Sequence, residues 1–575
     1  MEPASTVNTG GLRNGSTRET LERIWHPGRK RGLTVSDVLY FDAFTEIGPR
    51  LEKHPAEAWR LSDLLAEMSH CSISGALVAS TQSVAYDAMY GNLALSAAID
   101  PHRHLFAVWN VLPHHTGEFP APSALGPKMR EHAVRAVTIR PKTNAWDWEA
   151  DHAQDLLAWL AEERILTILA RHEFGHYREL DRFLGRHSRL PLLLTGAGYD
   201  EQRFVLPLLK KHSSLHISFD VFQVHYGLEY LVGEGLEDQL VFASHAPRMA
   251  MGAHRTYVDY AEVAPAVQRK IAGGNLIRLL DGQQPPSILT NQDEDILMAA
   301  VRQGKPLPVP VIDLHMHIVH EGLSSGGLAY RTHRGGPEGV FHLLERLGYR
   351  GGGFMSLNGP MGDARTGNEC VREVMDGVPP GYWGLATFDP AHFSQSELET
   401  LIPQTYSDHR FIGMKPYHFY PQDYADPSYD VWWAYGNRHH LYAIIDRNYR
   451  DDFREIESLA TRYPRVRWVA AHTGRDFKRA AQAAECIAKH DNVFAEINLA
   501  SVPLGMIDYL VQHAGEDRVV YGSDVPVLDP RQPLGWVVFS RLPLEAKMKV
   551  LGENALTIIR PCAARLPEHH RPPGL

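Results

Sequence analysis

The chain has 575 residues, of which 44% are hydrophobic and 22% charged, a composition typical of a soluble globular protein. Its net charge of -10 argues against a nucleic-acid-binding protein, because such a protein needs a basic surface. No apolar run reaches the roughly 18 residues of a membrane-spanning helix, and the four cysteines form no CxxC pair. We therefore expect a cytoplasmic protein that binds neither nucleic acid nor membrane.

The first 33 residues are polar and lack the apolar core of a signal peptide, so we predict a flexible segment at 1–33. From residue 34 onward, short apolar runs alternate with longer amphipathic stretches. The first of these runs contains FDAFTEIG, which has the same cadence as IDLHMHIV past the midpoint of the chain. This similarity calls for a comparison of the two halves.

The two halves share a series of matching segments. VRAVTIRPK matches RFIGMKPYH, LTILARHE matches YAIIDRNY, LVFASHAP matches VVYGSDVP, and GGNLIRLL matches GENALTII. The separation drifts in one direction, from 271 residues between Asp42 and Asp313 to 279 between Asn275 and Asn554. Small loop insertions would cause such a drift, whereas chance matches would scatter. The sequence therefore predicts a tandem duplication.

The second half shows its predicted elements clearly. Its strand-like runs are PVIDLHMH, FIGMKPYH, LYAIID, VRWVAAH, VFAEINL and RVVYGSD, and helical patterns such as DFKRAAQAAECIAKH lie between them. Alternating strands and helices predict a parallel sheet, and about 275 residues of such units suit a (β/α)8 barrel. We predict an α/β protein with two tandem TIM-like barrels, at 34–282 and 308–562. A linker at 283–307 joins them, and a loose Pro-rich tail follows at 563–575.

Polar residues end several strand-like runs of the second half: His315 and His317 end the first run, and Lys415, Asp446, His472 and Asp524 end later ones. The carboxyl ends of all strands in a parallel barrel share one rim, so these side chains should converge. His315 and His317 are two residues apart and point the same way from a strand. Two imidazoles and a carboxylate from a distant strand can hold a divalent cation such as zinc.

Each of these residues also has an ordinary structural interpretation. His472 could be a buried core histidine, Asp524 a helix or turn cap, Lys415 a surface lysine, and Asp446 the ion-pair partner of a neighbouring arginine. Their joint occurrence at strand ends, in barrel order, favours a metal site.

The motifs IDLHMH, AAHTG, YGSDVP and LGENALTII, with the Lys415 strand, resemble the amidohydrolase superfamily, and specifically its amidohydrolase-2 branch of metal-dependent hydrolases and nonoxidative decarboxylases. The resemblance covers most of residues 308–560. It implies a distorted TIM barrel with one divalent metal ion at the C-terminal rim, zinc or alternatively manganese. By position, His315 and His317 resemble the first-strand ligands, His472 the sixth-strand histidine, and Asp524 the last-strand aspartate, which binds the metal and handles the proton of the attacking water.

One position departs from the family pattern. The family usually has a histidine ligand at the end of the fifth strand, where this chain has Asp446. A carboxylate can still bind zinc or manganese, so Asp446 is a candidate ligand. An altered site, a different metal and a weakened site are the alternatives. Lys415 matches the strand whose lysine is carboxylated in binuclear members. We expect a single metal and count Lys415, His472 and Asp524 as catalytic candidates.

The first half lacks these residues. Phe44 and Glu46 replace the histidine pair, Ala170 replaces Asp446, Leu194 or Thr195 replaces His472, and His245 replaces Asp524. We therefore expect a degenerate, non-catalytic barrel. A rearranged site built from Glu46, His172 and His245 is the alternative.

The leading functional hypothesis is a metal-dependent hydrolase that acts on an amide, lactone or ester of a small molecule. Tyrosines in the loop after Lys415 suggest a cyclic or aromatic substrate. The first alternative is a nonoxidative decarboxylase of a hydroxy-carboxylate, anchored by arginines that flank the rim: Arg365, Arg447, Arg475 and Arg531. The second alternative is a non-catalytic binding or scaffold protein.

The resemblance also suggests a role for the first barrel. Family members commonly form dimers, and a twofold interface is self-complementary. We expect the two barrels to pack as an intramolecular pseudo-dimer, in which the first lends an arginine or a loop to the rim of the second. A further homodimer of the whole chain is left open.

Overall fold

The computed structural model describes residues 38–51, 54–319, 331–417, 422–446, 453–498 and 501–575. The predicted flexible segment at 1–33 lies outside the described residues. Residues 38–575 form one compact unit. Among the described residues, no helix combines the length and the apolarity needed to cross a membrane.

The strands form two parallel sheets, and in each sheet the strands lie side by side in chain order. The first sheet contains β1 (Phe41–Ile47), β2 (Gly75–Ser80), β3 (Leu105–Val111), β4 (Ala136–Ile139), β5 (Leu166–Ala170), β6 (Leu192–Thr195) and β7 (Leu215–Ile217). The second contains β8 (Val311–Ile318), β9 (Tyr349–Ser356), β10 (Tyr382–Ala386), β11 (Phe411–Met414), β12 (Tyr442–Ile445), β13 (Arg467–Ala470), β14 (Val493–Glu496) and β15 (Val519–Val520).

Backbone hydrogen bonds join the ends of both sheets. In the first, the amide of Ala43 in β1 donates to the carbonyl of Phe242 at 3.0 Å, and Phe242 follows a segment bridged in parallel to β7. In the second, the amide of His317 in β8 donates to the carbonyl of Val525 at 2.7 Å, just after β15. The predicted fold class, two TIM-like barrels of parallel strands, is confirmed.

Helices follow most strands and cover the barrels. Those of the first barrel are Leu61–His70, Gln82–Ala85, Ala88–Ile99, Pro122–Glu131, Asp151–Glu162, Tyr177–Arg186, Gln202–Lys211, Gly227–Gly233, Met251–Asp259, Pro265–Arg269 and Asn275–Leu279. Those of the second are Pro337–Leu347, Asn358–Met361, Ala364–Met375, Gln395–Tyr406, Asp430–His439, Arg454–Arg462, Phe477–Lys489, Met506–Ala514, Arg531–Val538, Leu544–Met548 and Asn554–Ala563. A five-residue π-helical turn lies at Lys270–Gly274 in the first barrel and at Lys549–Glu553 in the second.

The segments outside the two barrels are ordered against them. The predicted linker contains a helix, Ile296–Arg302, which begins at the N-cap Asp295 and buries Leu297 and Val301. The tail at 563–575 is not the loose segment expected from its Pro-rich composition. The His570 imidazole is buried and hydrogen-bonds the carbonyl of Tyr382 at 2.8 Å, and the His569 ring reaches the carbonyl of Val378 at 3.0 Å. These contacts hold the tail because each ring is paired with a backbone carbonyl of the barrel.

Matched positions of the two barrels make the same local bonds. The carboxylate of Asp42 accepts the amides of Phe44 and Ser244, and the carboxylate of Asp313 accepts those of His315 and Ser523. The side-chain amides of Asn275 and Asn554 each donate to two backbone carbonyls at 2.7 and 2.8 Å. A duplication predicts such agreement.

The two barrels contact each other through helices Met251–Asp259 and Arg531–Val538. A Cβ atom at Gly252 would lie 2.1 Å from Cβ of Phe539, and one at Gly535 would lie 2.5 Å from Oγ1 of Thr256. Glycine is therefore required on both sides for the helices to approach this closely.

Backbone bonds flank this helix pair on both sides. The amide of Ala250 in the first barrel donates to the carbonyl of Val502 in the second at 3.3 Å, and the amide of Asp529 in the second donates to the carbonyl of Gln223 in the first at 3.1 Å. In addition, the buried Arg531 guanidinium bonds Glu229 across the interface and Asp529 within its own barrel.

Candidate metal centre

Strand β8 carries both histidines of the HxH motif into the interior. All eight of its residues are buried, and the His315 and His317 rings lie 5.2 Å apart between centroids. The Asp313 carboxylate accepts the amides of His315 and Ser523 and so ties β8 to the chain after β15. Burial raises the pKa of Asp313 to about 8, which favours its neutral form.

Asp524 faces the two histidines from the turn that follows β15. Its Oδ1 atom lies 2.8 Å from Nε2 of His317 and 3.7 Å from Nε2 of His315. The backbone of Asp524 has a φ of 62°, and its amide donates to the carbonyl of His315 at 2.9 Å. Gly522 precedes it because a Cβ atom there would lie 2.5 Å from Oε1 of Glu496. The turn therefore holds the carboxylate against both imidazoles.

These three residues fit a divalent cation. One ligand atom from each of His315, His317 and Asp524 lies within 4.8 Å of the others. The Nδ1 atoms of both histidines are buried and have no hydrogen-bond partner among the described residues. Burial and the nearby Lys415 cation lower the pKa of His315, while contacts with His317 and His315 outweigh burial and lower that of Asp524. A neutral imidazole and an ionised carboxylate are the forms that bind metal.

His472 lies beside this cluster, at the end of β13. Its ring centroid is 5.4 Å from that of His315, and its Nδ1 atom is 2.9 Å from the carbonyl of Asn498. Burial alone would lower the pKa of His472, but the carboxylates of Asp446 and Asp524 outweigh it and raise the pKa to about 9. At neutral pH this imidazole therefore favours its protonated form.

Lys415 and Asp446 form a buried pair behind His472. The Nζ atom of Lys415 lies 3.8 Å from Oδ2 of Asp446, which in turn lies 3.6 Å from Nε2 of His472. Burial lowers the pKa of Lys415, whose side chain is 0% exposed. Asp446 therefore contacts His472 and Lys415 and is not part of the three-residue cluster. Its assignment as a ligand stays a prediction.

Glu496 is a residue of the site that the sequence analysis missed. It ends β14, is fully buried, and accepts the amides of His472 at 2.9 Å and Asn498 at 2.7 Å. Its Oε2 atom lies 3.6 Å from Nδ1 of His315. The available signal was a single acidic residue within the otherwise apolar run VFAEINL.

The rim of the first barrel carries a different set of residues. His245 lies between two carboxylates, with Nε2 3.7 Å from Glu46 and Nδ1 3.5 Å from Asp220. Arg140 donates to Glu46 at 2.9 Å. The Phe44 ring packs edge-on against His245. No group of three metal-binding side chains occurs in the described part of this barrel.

The position that matches His472 in the first barrel is Gly196, one residue beyond the Leu194 and Thr195 expected from the sequence. Gly196 has a φ of 72° where His472 has 57°, and its amide donates to Asp220 as that of His472 donates to Glu496. The alternative site loses one member, because the His172 side chain is 58% exposed and pairs with Glu173. Only Glu46 and His245 of that set meet.

Comparison with known proteins agrees with the geometry of the second barrel. The family model described as Amidohydrolase matches residues 312–560. No curated protein matches the sequence. Similar solved structures include a 5-carboxyvanillate decarboxylase from Sphingomonas paucimobilis, with 15% identity over 44% of this chain and 99% of that one and a TM-score of 0.34. A 2,6-dihydroxybenzoate decarboxylase from Rhizobium has 12% identity over 44% and 99% and a TM-score of 0.35. An amidohydrolase 2 from Bifidobacterium longum subsp. infantis has 14% identity over 44% and 99% and a TM-score of 0.33.

Proposed function

Since the second barrel, at residues 312–560, belongs to the amidohydrolase family, we propose that this chain is a metal-dependent hydrolase whose active site is the His315, His317 and Asp524 cluster. The observation that carries the proposal is the convergence of two buried imidazoles and one carboxylate from the first and last strands. The proposed reaction is hydrolysis of an amide, lactone or ester of a small molecule.

The donor set suits zinc, with manganese as the alternative, because imidazole and carboxylate bind both ions. A divalent cation held there would polarise the substrate carbonyl and lower the pKa of a water molecule. The remaining steps belong to the chain. Asp524, ionised and next to His317, takes a proton from the attacking water and passes it to the leaving group.

His472 has a separate part in this proposal. Its Nδ1–H donates to the carbonyl of Asn498, and the amide of the same residue donates to Glu496. These two bonds fix the orientation of the ring. The protonated imidazole then stabilises negative charge on the carbonyl oxygen of the substrate. Lys415 acts through Asp446, whose carboxylate faces His472.

A cyclic or aromatic substrate has limited support from the tyrosines after Lys415. Tyr417 is the tyrosine that supports it, because the Lys415 ammonium lies 5.4 Å from the centre of its ring. Tyr424 is committed to packing, since it donates to the carbonyl of Asp446 at 2.9 Å. Tyr429 is fully buried and stacks on Trp433. The proposal of an aromatic substrate therefore rests on Tyr417.

Decarboxylation is the second candidate, because His472 could deliver a proton to a carbon atom that loses its carboxyl group. The arginines proposed to anchor an acidic substrate give it little support. Arg531 is committed to Asp529 and Glu229, and Arg365 pairs with Glu397 at 3.4 Å. Arg475 lines a cavity shared with the first barrel, and Arg447 lies outside the described residues.

Metal content tests the proposed site. We expect about one equivalent of zinc or manganese in the intact chain by inductively coupled plasma mass spectrometry. The His315→Ala/His317→Ala variant should lose it, while the His172→Ala control, altered at an exposed histidine, should keep it. A folded chain that takes up no metal would favour the non-catalytic binding or scaffold protein. With metal established, ester, lactone and amide hydrolysis should be assayed beside carbon dioxide release.

We also propose that the two barrels form an intramolecular pseudo-dimer. The support is the paired interface, in which Ala250 bonds Val502 while Asp529 bonds Gln223, so that matched loops exchange matched amide bonds. The first barrel also contributes to the wall near the second site, since Gln202 contacts the buried His333 at 2.8 Å. Expression of residues 300–575 alone tests this proposal. A soluble, fully active monomer of that fragment would contradict it.

A further inference from the structure

A cavity of about 700 Å³ lies between the two barrels and takes cationic side chains from both. Arg50 and Arg248 come from the first barrel, and Arg475, Lys478 and Arg479 come from the second. The volume is within the range of small-molecule sites, which is about 300–1,000 Å³. A smaller cavity adjoins it, shares Arg50, Arg248 and Phe477, and reaches Glu46 at the end of β1. The large cavity therefore opens towards the rim of the first barrel.

The lining carries an excess of positive charge, with five cations against the two carboxylates of Glu57 and Asp476. Both carboxylates already have partners. Arg50 donates to Glu57 through two nitrogen atoms, and Asp476 accepts the amide of Arg479 as the cap of its helix. Like charges held around one cavity repel each other, so an anionic ligand would stabilise this arrangement.

The rim below the cavity does not remove this excess. Glu46 is held by Arg140 and faces His245, which in turn faces Asp220. The contacts with His245 and Arg140 outweigh burial and lower the pKa of Glu46 to about 2. Its charge is therefore already shared among basic groups of the first barrel, and it leaves the cations of the cavity available to an anion.

We propose that this cavity is a second, metal-free site that binds a small molecule with two or three negative charges, borne by carboxylate or phosphate groups. Guanidinium groups recognise both groups with paired hydrogen bonds, and Lys478 adds a point charge. The first barrel thus keeps a binding function at its rim without metal chemistry. Because both barrels supply cations, the bound anion also joins them.

Isothermal titration calorimetry of the full chain tests this site, with succinate as the carboxylate probe and inorganic phosphate as the phosphate probe. We expect one equivalent of at least one probe to bind, at least tenfold more weakly at 0.3 M than at 0.05 M salt because the contacts are ionic. Binding of succinate alone assigns the carboxylate class, binding of phosphate alone assigns the phosphate class, and equal binding assigns recognition by charge.

Variants connect the binding to the cavity. Arg248→Gln and Lys478→Gln, one from each barrel, should each weaken binding at least fivefold, and their combination should abolish it. Arg182→Gln, which removes an exposed arginine elsewhere on the first barrel, should leave binding unchanged, as should His315→Ala/His317→Ala. The ligand should also raise the thermal midpoint of the intact chain.

Two results would overturn the proposal. One is the absence of binding of either probe at 10 mM, about a hundredfold above a 0.1 mM Kd. The other is binding that survives Arg248→Gln/Lys478→Gln or disappears in His315→Ala/His317→Ala, which would move it to the metal site. Each variant's thermal midpoint without ligand separates loss of binding from loss of folding.

Discussion

The ammonium of Lys415 lies 3.8 Å from the carboxylate of Asp446, and both side chains are buried beside His472. In the family pattern a histidine ligand stands where this chain has Asp446. The replacement puts a carboxylate between a lysine and a protonated histidine. This charge balance accounts for the burial of Lys415, because a buried cation requires a nearby anion.

We predict that Asp446→Ala lowers metal affinity at least tenfold while the chain stays folded. The reason is that Asp446 completes the ligand set in our assignment and also holds His472. Metal titration followed by mass spectrometry measures the change, and Asp430→Ala is a control at an aspartate on a neighbouring helix. Unchanged metal affinity together with lost activity would instead make Asp446 the counter-ion of Lys415 and His472.

Glu496→Gln should reduce metal affinity or activity by about 10–100-fold, the usual effect of losing a group that orients a ligand. The carboxylate accepts the amides of His472 and Asn498 through its two oxygens. A glutamine keeps one acceptor and presents an NH2 group to the other amide. Steady-state kinetics and metal titration provide the measurement. Wild-type values for both would show that Glu496 has only a packing role.

The helix pair between the barrels gives a prediction about stability. Gly252→Ala should lower the free energy of unfolding by about 1–3 kcal/mol, because the new methyl group overlaps Phe539. The control is Gly185→Ala, also within a helix, where a Cβ atom meets nothing within 4 Å. That substitution should raise stability by about 0.5–1 kcal/mol through helix propensity. Denaturant titration measures both, and equal effects would contradict the close approach.

His225 should make stability dependent on pH. Burial and the nearby Arg531 cation lower its pKa to about 4, against the opposing effect of Asp529. The folded chain keeps the ring neutral, whereas the unfolded chain protonates it near its ordinary value of 6.5. Stability from this residue is therefore full above pH 6.5 and is lost as the pH falls towards 4, by at most about 3 kcal/mol.

His225→Leu should remove this part of the pH dependence. Neither ring nitrogen of His225 has a hydrogen-bond partner in the described part of the chain, so leucine deletes no such bond. We expect the unfolding free energy of the variant to fall less steeply between pH 6.5 and 4.5 than that of the intact chain. His392→Leu, at a side chain that is 80% exposed, is the control. Parallel curves for the variant and the intact chain would refute the assignment.

The sequence by itself determined the barrels and most of the candidate site. Strand and helix periodicities are local, and parallel strands all end at one rim, so residues at strand ends converge whatever the loops do. His315, His317 and Asp524 come together for this reason, and the fold class was predicted correctly from the same pattern.

Only the tertiary structure decided how distant parts meet. Glu496 looked like one more residue of an apolar strand, because its role depends on the amides of His472 and Asn498 in the folded barrel. The tail at 563–575 looked loose because no local pattern records that His570 meets the carbonyl of Tyr382. The cationic cavity likewise joins Arg248 to Lys478, 230 residues apart in sequence, through the packing of two barrels. Composition and periodicity describe neighbours along the chain, whereas these contacts depend on the relative placement of whole elements.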